Sequence, residues 1–175
     1  PEAKLHGGAL YAAGPVTIRH SEFDANAIVP RTVASGHGGP ALNMQGCGVY
    51  LAEGGTIDHC SFTNNGVRPG DFFADTRWFG GGLYVEAGSM SISSSTFEGN
   101  EAERGGAIYN EGGDVEISRS VLRANRIEDL TESTLTAERP AIAGTATVIR
   151  CTIVGHVSAP TSPPSETLLD AGEID

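Results

Sequence analysis

Two histidines occupy equivalent places in a repeated segment of the chain and could share a metal ion. His20 and His59 each follow a repeated isoleucine by two residues. A closed metal site usually has four nitrogen, sulfur or oxygen ligands. The next residues of the same series are Ser94, Arg119 and Arg150, which do not complete such a set. A solvated turn is the better interpretation, and neither a metal site nor a cofactor is predicted.

Carboxylates are the other candidates for chemistry. Glycoside hydrolysis needs a pair of positioned carboxylates, and a calcium site needs several oxygen ligands together. Asp24, Asp58 and Asp114 fall at different positions of the repeat, so they do not line up. Gly36-His37-Gly38 is similar to the Gly-His-Gly of polygalacturonases, but the Asn-x-Asp, the adjacent Asp pair and the Arg-x-Lys of those enzymes are missing. No catalytic residue is predicted.

The elements that position these residues are internal repeats of one motif. Each copy opens with a turn of small residues, an aliphatic residue and a tyrosine, and closes with an Ile, a Ser or Cys, a Phe or Leu and an Asn. The openings are Gly7-Gly8-Ala9-Leu10-Tyr11, Gly46-Cys47-Gly48-Val49-Tyr50, Gly80-Gly81-Gly82-Leu83-Tyr84 and Gly105-Gly106-Ala107-Ile108-Tyr109. The closing segments are residues 18–26, 57–65, 92–100 and 117–125, with a degenerate fifth at 148–156. Insertions fall mainly after the Asn and before the next glycine turn.

Short strands are predicted for each copy. Val16-Thr17-Ile18 and Val115-Glu116-Ile117 alternate apolar and polar residues, and no segment of helical length carries an apolar stripe of period 3.6. A unit this small cannot bury its own apolar face, so stacked copies must share one core. The sequence therefore predicts an all-β fold, a right-handed parallel β-helix of about five coils with loop insertions on one side.

Equivalent positions of successive copies should form columns, with neighbours about 4.8 Å apart as in a sheet. An apolar column is expected to stack Phe23, Phe62 and Phe97 along the interior. An amide column is expected to pass hydrogen bonds from coil to coil, because a buried polar group without a partner is costly. Its members are Asn26, Asn65, Asn100 and Asn125. Both columns are interpreted as structural ladders.

The columns resemble the polymorphic outer membrane protein repeat, whose marks are Gly-Gly-Ala-Ile followed by Phe-x-x-Asn. Gly105-Gly106-Ala107-Ile108 matches the first mark, and Phe23 with Asn26 is one of three matches to the second. Leu122 with Asn125 and Ile153 with His156 depart from it. The resemblance covers residues 7–156 and implies a pectin-lyase-like β-helix of the kind found in bacterial autotransporter passenger domains and surface proteins. It is specific for fold and weak for activity.

Composition and charge exclude some classes of binding partner. The chain has 11 basic and 22 acidic residues, which argues against nucleic acid and anionic membrane as partners. No apolar run approaches the roughly 18 residues of a membrane span. The 24 glycines and 9 prolines suit a turn-rich β protein. An extracellular or cell-surface location is expected from the family resemblance.

The two ends differ from the repeats. The β-helix segment is predicted to comprise residues 1–156, followed by a Pro-rich acidic tail or cap at 157–175 that contains Leu168 and Leu169. An open end of a solenoid exposes strand edges and core. Further coils or a partner subunit are therefore expected to cover the N-terminal end.

Three cysteines give no disulfide framework. Cys60 and Cys151 share a column but lie three coils apart, which is too far for a bridge. Cys47 could pair with Cys60 across the core, although free buried thiols are favoured.

The loop face is the predicted contact surface, because insertions that emerge from one side of a solenoid commonly bind. The insertions are Ala27–Gln45, Gly66–Phe79 and Arg126–Arg139. The middle one is rich in aromatic and Arg side chains, which are enriched at binding hot spots; these are Arg68, Phe72, Phe73, Arg77, Trp78 and Phe79. The alternative is that these aromatics fold back and cover the coil. We expect a non-catalytic structural or adhesion module that binds a protein or carbohydrate, with a carbohydrate-active enzyme segment as the alternative.

Overall fold

The computed structural model describes residues 3–29, 42–67, 77–127, 141–155 and 157–158, and they form short strands joined by turns. Coil 1 contains β1 (Ala3–His6), β2 (Leu10–Ala12), β3 (Val16–Arg19), β4 (Glu22–Asp24) and β5 (Ala27–Ile28). Coil 2 contains β6 (Leu42–Gln45), β7 (Val49–Leu51), β8 (Gly55–Asp58), β9 (Ser61–Thr63) and β10 (Gly66–Val67). Coil 3 contains β11 (Arg77–Phe79), β12 (Leu83–Val85), β13 (Ser89–Ser93), β14 (Thr96–Glu98) and β15 (Glu101–Ala102).

The last two coils have four strands each. Coil 4 contains β16 (Ile108–Asn110), β17 (Asp114–Ser118), β18 (Val121–Arg123) and β19 (Arg126–Ile127). Coil 5 contains β20 (Ile142–Ala143), β21 (Thr147–Ile149), β22 (Thr152–Val154) and β23 (Val157–Ser158). β23 pairs with β19, so strand pairing continues past residue 156, where the repeat was predicted to end. Among the described residues, no helix is long and apolar enough to cross a membrane.

Equivalent strands of successive coils pair in parallel, except that β10 and β15 are not paired and β11 has no equivalent strand in coil 4. Sheet A comprises β1, β6 and β11, and sheet B comprises β2, β7, β12, β16 and β20. Sheet C comprises β3, β8, β13, β17 and β21, and sheet D comprises β4, β9, β14, β18 and β22. The two groups β5–β10 and β15–β19–β23 make up sheet E. This arrangement confirms the predicted all-β parallel β-helix.

The register follows the repeat columns. In sheet C, Ile18 pairs with Ile57, Ile57 with Ile92, and Ile92 with Ile117. These side chains point into a single core that runs through all five coils. A smaller cluster of Met44, Trp78 and Ala102 lies between sheets A and E.

The glycine turns are required by the backbone between sheets A and B. Gly105 has φ +62°, and a Cβ added there would lie 2.2 Å from the Ile108 carbonyl oxygen. A side chain at this position would therefore be strained by its conformation and by contact with its own turn. The first glycine of the repeat is explained by this geometry.

Candidate functional site

The asparagine column forms a ladder of hydrogen bonds inside the helix. Asn65 Nδ2 donates to Asn100 Oδ1 at 2.9 Å, and Asn100 Nδ2 donates to Asn125 Oδ1 at 2.9 Å. Each Oδ1 also accepts the backbone N–H of the asparagine one coil earlier, at 3.0–3.1 Å. The other amide hydrogen goes to the carbonyl of the preceding coil's Phe. These buried side chains bind the coils together rather than a ligand.

The phenylalanine column lies beside this ladder. The rings of Phe62 and Phe97 are stacked with their centroids 4.5 Å apart, and those of Phe23 and Phe62 are 4.9 Å apart. Phe62 and Phe97 are fully buried, whereas Phe23 in the first coil is only partly so. Their hydrophobic burial and stacking stabilise the core.

A second ladder runs through the Ser and Cys column at the corner between sheets C and D. Ser95 Oγ accepts from the Cys60 N–H at 3.1 Å and donates to the Ser93 carbonyl at 2.8 Å. Ser120 Oγ likewise accepts from the Ser95 N–H at 3.1 Å. The sequence analysis noted the recurring Ser or Cys without predicting a ladder, and the recurrence of a side-chain acceptor at one position was the signal for it.

Only three of the six predicted contact residues of the middle insertion lie in the part of the chain that the structure describes. Arg77, Trp78 and Phe79 form strand β11, so the insertion between strands is residues 68–76 rather than 66–79. Trp78 is 2% exposed and packs in the cluster with Met44 and Ala102. Its register partners in sheet A, Leu5 and Met44, occupy the same strand position. For Trp78, burial agrees with the covering alternative and corrects its placement on a contact surface.

The other two predicted contact residues that the structure describes are not in the core cluster of Met44, Trp78 and Ala102. Arg77 is about half exposed, and its Nη1 lies 3.4 Å from Glu103 Oε1. Phe79 is partly buried, with its ring centroid 5.0 Å from that of Tyr109. Arg68, Phe72 and Phe73 lie outside the described residues, as do His37, His156 and the segment from 159 to 175.

The tyrosines of the repeat form a stack on the outer side of sheet B that the sequence analysis did not identify. Successive ring centroids are 5.2, 5.1 and 5.2 Å apart along Tyr11, Tyr50, Tyr84 and Tyr109. The Tyr50 hydroxyl donates to Glu86 and the Tyr84 hydroxyl donates to Glu111. Burial raises the pKa of both phenols, and the carboxylate beside each raises the pKa further.

Residues at the end of sheet A lie against this stack. The ring centroids of His6 and Tyr50 are 4.3 Å apart, and Gln45 Nε2 donates to the Tyr84 hydroxyl at 2.9 Å. Burial lowers the pKa of His6, and nearby Lys4 lowers the pKa further. These contacts explain how Tyr50 and Tyr84 become buried on the outside of a sheet.

The two histidines lie one above the other, as their shared column predicts. The ring centroids of His20 and His59 are 5.2 Å apart. His59 Nδ1 lies 3.0 Å from Asp58 Oδ1, and the Ser93 hydroxyl donates to the same carboxylate at 2.6 Å. The hydrogen bond from Ser93 lowers the pKa of Asp58, as does that from His59. No group of three or more His, Cys, Asp or Glu suited to a metal occurs within the described ranges.

The cysteines are free thiols in the structure. Cys47 and Cys60 are buried, and Cys151 is partly exposed. Burial raises the pKa of Cys47 to about 12. The Cys60 and Cys151 thiols each contact the carbonyl two residues earlier in the chain, Cys60 that of Asp58 at 3.3 Å and Cys151 that of Ile149 at 3.3 Å. Of the open alternatives, the structure has free thiols and not a Cys47–Cys60 bridge.

Each side-chain ladder has one end in coil 1, whose side away from coil 2 faces no other coil among the described residues. Tyr11 is 53% exposed although Tyr50 beside it is 3% exposed. The Asn26 side chain donates to Asn65, but its own Oδ1 accepts no hydrogen bond from the described part of the chain. The N–H groups of Ser61 and Gly66 in coil 2 donate to the Ser21 and Asn26 carbonyls. By register, the equivalent N–H groups of coil 1 face outward, so this side can accept another coil.

The comparisons with known proteins agree with this architecture. A family model described as a right handed beta helix region matches residues 6–161. No curated protein and no solved structure gave a match.

Proposed function

Because the chain belongs to the family of right-handed β-helix regions, we propose that it is a non-catalytic structural or adhesion module of a larger surface or secreted assembly. In this proposal the β-helix is a scaffold. Its open end joins a further coil or a subunit, and its loop face contacts a protein or carbohydrate partner outside the cell. The histidines, buried asparagines and tyrosines have structural contacts, which supports a scaffold rather than a catalyst.

The observation that carries the proposal is the open side of coil 1. The side chains of Tyr11 and Phe23 end their stacks with one ring face uncovered by a neighbouring coil. Asn26 Oδ1 is available to accept two N–H groups, as Asn65 and Asn100 Oδ1 do in later coils. A parallel strand edge with such acceptors is a template for β-strand addition. A further coil of the same type would accept hydrogen bonds from the backbone N–H groups of this edge, donate to Asn26 Oδ1 and cover the two rings.

Amide hydrogen exchange tests this directly. The Glu22 and Ala27 amides of coil 1 are register equivalents of Ser61 and Gly66, whose N–H groups donate to coil 1 at 3.0 Å. In residues 1–175 produced alone, we expect Glu22 and Ala27 to exchange rapidly and Ser61 and Gly66 slowly. In the protein isolated from its source, all four should be protected, because a neighbouring coil accepts the first two.

Each coil 1 amide has its register partner in coil 2 as an internal control, Ser61 for Glu22 and Gly66 for Ala27. Rapid exchange of Glu22 and Ala27 in the native protein, with Ser61 and Gly66 protected, would show that no coil covers this end. Rapid exchange of all four would contradict the register itself.

The loop-face part of the proposal rests on where the chain leaves the coils. Insertions separate β5 from β6, β10 from β11 and β19 from β20, so each of the three leaves its coil directly after a sheet E strand. Coil 3 passes from Ala102 to Ile108 without one, and Arg104 pairs with Phe79, so a coil can be connected without the insertion. Replacing residues 68–76 with two glycines should leave the melting temperature within a few degrees. Partners that co-purify with the native protein should be lost, whereas their retention would refute a role for this loop.

A further inference from the structure

A column of basic side chains runs along the corner between sheets C and D. The residue that follows each sheet C strand occupies this corner, and we call the column the basic edge; it comprises His20, His59, Ser94, Arg119 and Arg150. Four of the five side chains are Arg or His, in a chain with a net charge of −11. Because coils are stacked at about 4.8 Å, the column forms a straight ridge parallel to the helix axis.

The backbone does not require this choice of residues. All five have positive φ, between 47° and 53°, where glycine is the unstrained residue. The next corner, between sheets D and E, has the same left-handed backbone and serves as an internal comparison. Its residues are uncharged; they are Ala25, Asn64, Gly99, Ala124 and Gly155. The backbone conformation therefore does not explain why Arg and His occur at the basic edge, where a glycine would be less strained.

Arg119 and Arg150 are the two arginines of this ridge. Both are exposed, and within the described ranges neither forms an ion pair, whereas Arg123 nearby pairs with Glu98 at 2.6 Å. His59 differs, because Asp58 lies 3.0 Å from its ring nitrogen. Two serines lie beside Arg119, since Ser94 precedes it by one coil in the column and Ser118 precedes it in the chain. This stretch of the edge thus combines the two guanidinium groups with serine hydroxyls next to one of them.

We propose that the basic edge binds a linear sulfated polysaccharide that lies along the helix axis. A guanidinium group donates two parallel hydrogen bonds to one oxyanion. A sulfate ester has three terminal oxygens, so it can accept from one guanidinium and from a neighbouring hydroxyl at the same time. Arg119 and Arg150 are neighbours in adjacent coils, so one extended chain contacts both. This surface is separate from the open end and from the loop face.

Nucleic acid fits the ridge less well. Single-stranded nucleic acid is usually bound by a basic groove with aromatic side chains on which bases stack. In the described coils the basic edge is a corner, and its only rings are the two histidines.

The test uses a substitution that removes charge without disturbing the turn. In residues 1–175 we would replace Arg119 and Arg150 with glycine and measure affinity for heparin oligosaccharides by calorimetry at two salt concentrations. We expect at least a tenfold loss of affinity, with a melting temperature equal to or above that of the wild type because glycine relieves the positive φ. Ala124→Gly makes the same backbone change at the uncharged corner and should leave affinity unchanged. Arg119→Lys with Arg150→Lys should retain part of the binding and its salt dependence.

Several outcomes would overturn the proposal. They are absence of heparin binding by the wild type at 0.15 M salt, unchanged affinity of the double glycine variant, or equal loss with Ala124→Gly. Equal affinity for polygalacturonate would show that charge alone is recognised and would remove the sulfate assignment. Tighter binding of single-stranded DNA of similar length would assign the ridge to nucleic acid instead.

Discussion

Replacing Asn100 with alanine should break the ladder at its middle. The Asn100 side chain donates to the Phe62 carbonyl at 2.8 Å and to Asn125 Oδ1 at 2.9 Å. Its Oδ1 accepts two hydrogens from Asn65, from the backbone N–H at 3.1 Å and from Nδ2 at 2.9 Å. Asn65 and Asn100 are fully buried. The substitution therefore leaves two buried N–H donors of Asn65 without an acceptor.

The expected cost follows from those two donors. Each buried donor left unsatisfied costs about 1–3 kcal/mol, so the loss of unfolding free energy should be about 2–6 kcal/mol, with about 4 kcal/mol as the central value. Asn125 Oδ1 keeps the backbone N–H of Asn100 at 3.0 Å and adds little to this cost.

Asn26→Ala is the matched control, because it makes the same change at the open end of the ladder. Asn26 donates one side-chain hydrogen bond to Asn65 Oδ1 at 2.9 Å, and that oxygen keeps the backbone N–H of Asn26 at 3.0 Å. Asn26 is only partly buried, so water can replace part of what is lost. We expect Asn26→Ala to lower the free energy of unfolding by about 1 kcal/mol.

Urea unfolding measures both variants. Far-UV circular dichroism reports the strands, and the fluorescence of Trp78, the single Trp, reports the buried cluster. The two probes should give coincident transitions if unfolding is two-state, which a repeat protein need not be. A cost for Asn100→Ala no larger than that for Asn26→Ala would refute the ladder as a source of stability.

Three further predictions concern the core, the tyrosines and activity. Trp78→Ala should cost about 3–5 kcal/mol because it empties a buried site, whereas Thr147→Ala at an exposed position should cost less than about 0.5 in the same urea assay; equal costs would place Trp78 on the surface. Stability should fall as pH rises above about 10, because unfolded phenols lose their protons there while folded Tyr50 and Tyr84, whose pKa is raised, retain them. Urea midpoints measured between pH 8 and 11 should show this fall, and replacing both tyrosines with phenylalanine should reduce it. Incubation with polygalacturonate and neutral polysaccharides, with and without calcium, should release neither unsaturated nor reducing ends; turnover that survives purification would support the enzyme alternative.

Much of the fold could be predicted because one motif is repeated. When equivalent residues recur in the same order, a single strand register aligns all of them. Parallel pairing then places each residue beside its equivalent in the next coil. The Phe62–Phe97 stack and the Asn65–Asn100 hydrogen bond follow from that register alone. The stacked positions of His20 and His59 follow for the same reason.

Positions after an insertion were harder to predict. A shift of one residue in a strand exchanges its inward and outward side chains. Trp78 is the middle residue of β11, which begins directly after the segment 68–76, and no repeated residue there indicates which way it points. Only its pairing with Met44 places it in the core.

Residue order and spacing were enough to predict the coil count, the paired columns and the corner at which the insertions leave the coils. Which outward residues are buried depends instead on contacts between sheets. Tyr50 and Tyr84 occupy the outer side of sheet B, yet His6, Gln45 and two glutamates from later turns cover them. Those contacts join different sheets, and no spacing along the chain encodes the angle at which two sheets meet.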